Sequence, residues 1–210
     1  MEEIALDTQP IWEQCLQVGF IKEMCNDTLS QEKFLNYIIQ DSLYLRDYIR
    51  VHAMAVFKSR TLKEMKVFAS VLGYVNDSEN ATRLKYLSDN NLTDDDIENF
   101  EKNHVCKAYT DFLFDYAVNQ DIPEILMAFI PCMIGYYEVF RLVLKQYPQI
   151  MTSYYKEFVC DYTTNEYKKS CDEWIAFANV ICESLDDERK NNLKKIYTQS
   201  SMYELEFWKM

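Results

Sequence analysis

Three glycines and four prolines in 210 residues leave this chain few ways to turn sharply. Sandwiches and barrels need a turn signal about every ten residues. Gly19, Gly73 and Gly135, with prolines at 10, 123, 131 and 148, are too few and too scattered to supply them. An all-α fold follows. At 49% hydrophobic and 15% aromatic residues, the chain has enough apolar surface for one sizeable core, and 1–210 is read as a single domain. No linker, repeat or low-complexity block interrupts it.

Charge and composition exclude several classes of function. A net charge of −12 and a pI of about 4.7 oppose nucleic-acid phosphates and anionic membranes. The longest apolar run, 125–137, is too short to span a bilayer. The acidic start Met1-Glu2-Glu3 lacks a signal core. Seven cysteines, an odd number with no C-x-x-C pair, fit reduced thiols and a cytoplasmic setting. Metal chemistry has little support: Glu101 and His104 make one Glu-x-x-His spacing, and a di-metal bundle needs a second copy. The scattered glycines cannot form a phosphate-cradling loop.

Apolar spacing predicts a helix over about 11–26 and a second from the N-cap Ser30 to about Lys58. The second carries Phe34, Tyr37, Ile38, Tyr44, Leu45, Tyr48, Val51 and Ala55 on one stripe. A third is expected over 62–87, weakened near Gly73. A short helix begins at Thr93, and another covers 105–118. Asp121-Ile122-Pro123-Glu124 opens the next, which ends before Pro148. Three more cover 152–162, 166–184 and 187 onward.

Four features stand out against this pattern. Cys132 follows Pro131 inside an apolar helix, with Gly135 and Tyr136 a turn later. Proline removes one helical hydrogen bond and is expected to break or kink the helix there. Glycine admits close approach. Asp41 lies three residues from both Ile38 and Tyr44 on the apolar stripe, where a carboxylate needs a partner or a ligand's amino group. Glu204 shares a face with Phe207, three residues on, whereas Glu206 points elsewhere. A carboxyl among aromatics has a raised pKa and suits acid–base work near neutrality. Finally, Tyr44, Tyr109, Tyr136 and Tyr162 stand on four helices, as core-edge tyrosines or as a box around a flat heterocycle.

Thr28-Leu29, Phe34, Tyr37, Gln40-Asp41 and Tyr44-Leu45 resemble the N-terminal signature of the TenA family, the class II thiaminases. Pro131-Cys132, Gly135-Tyr136 and Glu138 resemble its nucleophile segment, and Tyr203-Glu204 with Phe207-Trp208 its C-terminal signature. The three motifs occur in the family's order over nearly the whole chain. The resemblance implies a haem-oxygenase-like helical fold, a homotetramer and no metal or organic cofactor. It further implies hydrolysis of 4-amino-5-aminomethyl-2-methylpyrimidine to the hydroxymethyl pyrimidine, with weaker cleavage of thiamin. By position, Cys132 resembles the nucleophile and Glu204 the acid/base. Asp41 resembles the residue that holds the pyrimidine amino group and ring nitrogen. Tyr44, Tyr109, Tyr136, Tyr162 and Phe207 resemble the pocket wall. Asp27 stands where glycine is frequent, and Ser30 where proline is frequent. The chain stops two residues after Trp208, where relatives often continue. The alternatives are a salvage hydrolase for another pyrimidine or amine, or a non-catalytic pyrimidine-binding or regulatory protein.

Overall fold

A computed structural model of the chain describes residues 1–75 and 81–210, apart from the side chains of Glu2, Tyr74 and Val75. Helices and turns account for the described residues, with no strand among them. The chain forms two compact units, residues 1–29 with 126–210, and residues 30–125.

In the second unit, α3 (Gln31–Lys58) begins where Ser30 Oγ accepts the Lys33 amide at 3.2 Å. That bond satisfies one of the four amides a helix start leaves open. The stripe read from the sequence is the buried face: Phe34, Tyr37, Ile38, Tyr44, Tyr48, Val51 and Ala55 are buried, and Leu45 is half-buried. Burying each large apolar side chain contributes roughly 1.5–3 kcal/mol. α3 packs on α4 (Leu62–Ser70), on a 3-10 turn over Val71–Val75, and on α7 (His104–Asn119). The single helix expected over 62–87 is instead α4, this turn and α5 (Ala81–Asp89). Its expected weak point, Gly73, lies within the turn, and residues 76–80 of that span lie outside the described residues. The short helix α6 (Asp94–Ile97) opens with a capping box between Thr93 and Asp96, its acids suiting the positive end of the helix.

The first unit contains α1 (Glu2–Cys15) and α2 (Gly19–Cys25), which together replace the one helix expected over 11–26. α2 ends in a Schellman motif. The Thr28 and Asp27 amides donate to the Glu23 and Met24 carbonyls at 2.8 and 3.2 Å, with Asp27 at φ +56°. A left-handed residue explains why glycine suits position 27. α8 (Ile122–Gln146) supplies its residues from 126 onward. A 3-10 turn (Pro148–Thr152), α9 (Lys156–Asp161), α10 (Asn165–Cys182) and α11 (Asp187–Phe207) complete the unit. α9 is shorter than the helix expected over 152–162, because the chain first makes the 3-10 turn begun by Pro148.

α8 runs through Pro131 as one helix and stops before Pro148, as the helix expected from Asp121 does. Proline removes one amide, whereas burial of residues 125–130 at 1% exposure or less holds the rest of the helix in place. α8 is also the one described helix long and apolar enough to cross a membrane. Its most apolar 18-residue stretch is 72% buried, as in a core helix. Gly135 makes the close approach expected of it: a Cβ there would lie 2.6 Å from the Trp12 ring of α1.

Candidate functional site

Asp41 is 6% exposed on the inner face of α3. Burial raises its pKa from the ordinary 3.8 to about 7, and the Arg83 guanidinium pulls the other way. Arg83 is itself held by Ser42 Oγ at 2.9 Å and by Asp94 at 2.8 Å. Asp41 is therefore a carboxyl poised between charged and neutral near pH 7. One turn on, the Tyr44 ring packs 4.9 Å from Tyr109 of α7 and 5.7 Å from Tyr48. Asp41, Tyr44 and Tyr109 are all buried in the second unit.

A polar clamp that sequence reasoning missed supports this group. Gln40 Nε2 donates to the Glu101 carbonyl at 3.0 Å, and its Oε1 accepts the Asn103 amide at 2.9 Å. Asp47, 1% exposed, pairs with Lys102, which also donates to Thr110 Oγ1 at 2.9 Å. Together these bonds fix the start of α7, and hence Tyr109, against α3. Asp47 carried a legible signal, because it lies three residues after Tyr44 on the stripe that exposed Asp41. Lys102 carried none.

In the first unit, Cys132 is half-buried on α8 and Glu204 is 2% exposed on α11. Two contacts fix how these helices pair. Ser200 Oγ donates to the Ala128 carbonyl at 2.5 Å, and the Tyr136 ring lies 5.0 Å from Trp208. Both pairs are offset by 72 positions (200 less 128, 208 less 136), so α8 and α11 run parallel in a fixed register. Cys132 and Glu204 share that offset. They sit midway, one turn above the first contact and one turn below the second, at the same level of the helix pair. The Glu204 charge also reaches two neighbours. After burial, it is the next cause that pushes the Cys15 thiol of α1 up to about 12, and it contributes to raising Tyr197. Glu206 turns outward and binds Lys209 at 2.6 Å.

Aromatic rings cluster beside this level. Tyr162 lies 4.7 Å from Tyr136 and 5.5 Å from Phe140, stacked on the latter at 18°. Phe158 and Tyr167 each approach Tyr162 to 5.3 Å. Tyr136 is buried, Tyr162 half-buried, and Phe207 buried at the end of α11. The sequence-predicted residues therefore form two groups, each within its own unit: Asp41, Tyr44 and Tyr109 in one, and Cys132, Glu204, Tyr136, Tyr162 and Phe207 in the other.

Residues 7–210 match the model of the TENA/THI-4/PQQC family. The chain belongs to this family. A relative from Halalkalibacterium halodurans, named aminopyrimidine aminohydrolase, is 28% identical over 203 residues, covering 96% of this chain and 90% of its own. The TenA homologue from P. horikoshii is 26% identical and superposes with a TM-score of 0.82, over 100% of this chain and 96% of its own. A domain from Shewanella denitrificans described as having a heme oxygenase-like fold is 10% identical. It superposes at 0.76 over 99% of this chain and 89% of its own. The TenA fold here is thus the haem-oxygenase-like helical one.

Proposed function

We propose that this TenA-family chain is an aminopyrimidine aminohydrolase, a hydrolase acting on a C–N bond in thiamin salvage. Its substrate on this reading is 4-amino-5-aminomethyl-2-methylpyrimidine, with thiamin cleaved more weakly. The observation that carries the reading is the register of α8 and α11, which sets a half-buried thiol level with a buried carboxyl between two fixed contacts. Relatives named for this activity, at 24–28% identity, support the reaction class.

The chemistry requires that pair. The Cys132 thiolate adds to the electron-poor pyrimidine while Glu204, as an acid, protonates a ring nitrogen, so the ring gives up its aromaticity without building up charge. The aminomethyl group, an ammonium at neutral pH, then leaves the methylene arm as ammonia as the ring's electrons form the exocyclic double bond. Water adds to that methylene, and the proton it gives up passes to the ammonia, which departs as ammonium. The thiolate leaves as the ring nitrogen returns its proton, and aromaticity is restored. Asp41 holds the amino group and ring nitrogen, a role that suits a carboxyl changing charge near pH 7. Tyr136, Tyr162 and Phe207 wall the flat ring and hold its orientation, and the family resemblance assigns Tyr44 and Tyr109 the same role. No metal or organic cofactor enters this sequence of steps.

The proposal extends to one functional domain over 1–210, matched by a family model that spans both compact units, and to a cytoplasmic homotetramer. Light scattering after size exclusion tests the assembly. The Cys132→Ser variant tests the chemistry. It should fold, bind the pyrimidine and lose at least about 10²-fold in kcat, since serine is a far weaker nucleophile at neutral pH. A variant with unchanged turnover contradicts the mechanism.

A further inference from the structure

Cys132 and Glu204 are level only while α11 keeps its register along α8. A ring contact such as that of Tyr136 with Trp208 tolerates a range of geometries, whereas a hydrogen bond is sensitive to distance and angle. Ser200 supplies that sensitivity. It is fully buried, and its Oγ reaches from α11 to the Ala128 carbonyl of α8 at 2.5 Å.

The choice of carbonyl matters. In an α-helix the amide of residue 132 donates to carbonyl 128, and the amide of 204 to carbonyl 200. The Ser200–Ala128 bond therefore ties the turn that carries Cys132 to the turn that carries Glu204. Buried serines inside helices commonly bond back to their own helix four residues earlier. Ser201 does so, donating to Tyr197 at 2.9 Å, as does Ser42 to Ile38 at 2.7 Å. Ser200 differs in reaching a second helix. The contact on the other side of the level, Tyr136 against Trp208, is a ring contact tilted at 44° and lacks this directionality.

We propose that Ser200 is a positioning residue: its hydroxyl sets the axial register that holds the Glu204 carboxyl opposite the Cys132 thiol. This inference rests on the reading of Cys132 and Glu204 as the reacting pair.

The test compares Ser200→Ala with Ser201→Ala in the same aminopyrimidine hydrolysis assay. Both serines are fully buried, and both substitutions remove the same atom. Ser200→Ala should fold, because the Ala128 carbonyl keeps its helical donor. It should lower kcat by roughly 10- to 100-fold with KM within about twofold, as expected for a misplacement near 1 Å. It should also shift a limb of the kcat–pH profile by about half a unit or more, because the acid no longer meets the thiol correctly. Ser201→Ala should stay within about twofold of wild type at every pH. Ser200→Thr, which keeps a hydroxyl, should recover most of the lost rate. If Ser200→Ala does not fold, Ser200→Cys, with similar volume and a weaker donor, takes its place and must show the same split.

Equal kcat and pH profiles for the position-200 and position-201 variants would overturn the positioning role. Cys132→Ser in the same assay separates the two claims. If it stays active, the reading of the site fails. If it is inactive while Ser200→Ala behaves as wild type, the failure belongs to the positioning role alone.

Discussion

Asp41→Asn is the substitution whose effect on stability is most sharply defined. The Asp41 carboxyl ionises near pH 7 in the fold and near 3.8 in an ordinary setting. Between those values the folded state holds a proton that the unfolded chain has released, so stability falls as pH rises through this window. Once both states are charged, the cost to the fold is about 4 kcal/mol, at 1.36 kcal/mol for each pKa unit of difference. Asparagine has nearly the same shape and stays neutral throughout. Its advantage over wild type should be near zero at pH 3.5, reach half its full size near pH 5.5, and level off at about 4 kcal/mol by pH 8. For a chain of this size that is a rise in Tm of roughly 8–15 °C at pH 8. Urea unfolding of both proteins across this range measures it. Because the comparison is between variants, buried His52, whose pKa burial lowers to about 4, affects both proteins alike. The same variant should bind the aminopyrimidine more weakly, the usual exchange of function for stability at a buried polar site. A stability difference independent of pH, or one that shrinks toward pH 8, would refute the assignment of a burial-raised carboxyl.

Two other substitutions test the backbone arguments. Gly135→Ala places a Cβ 2.6 Å from the ring of Trp12, itself 3% exposed, and should destabilise the protein by about 1–3 kcal/mol in urea unfolding, as overpacked cores do. Asp27→Gly relieves a left-handed residue at φ +56° and should stabilise by about 0.5–1 kcal/mol, with activity unchanged.

The helical class was legible because turn residues are scarce, and the buried face of α3 because its stripe has helical spacing. Asp41 was legible as a carboxyl inside that stripe that needs a partner, whereas the rise of its pKa to about 7 was not anticipated. Gly135 was legible as a point of close approach, although Trp12, the group that fills it, lies more than a hundred residues away. Helix boundaries were less legible. The 11–26 stretch divides at Leu16–Val18. The level pairing of Cys132 with Glu204 was not readable from either segment. It depends on a register set by Ser200 and Trp208, and a register between distant helices leaves no periodic trace in sequence. Lys102 and Ser200 look like ordinary polar residues until the chain folds.

The most direct test of the central claim is chromatographic detection of 4-amino-5-hydroxymethyl-2-methylpyrimidine after the purified protein is incubated with the aminomethyl pyrimidine, alongside Cys132→Ser. The account predicts product from wild type, almost none from the variant, and pyrimidine binding by both. Equal product from the two proteins, or none from either with binding intact, would contradict it.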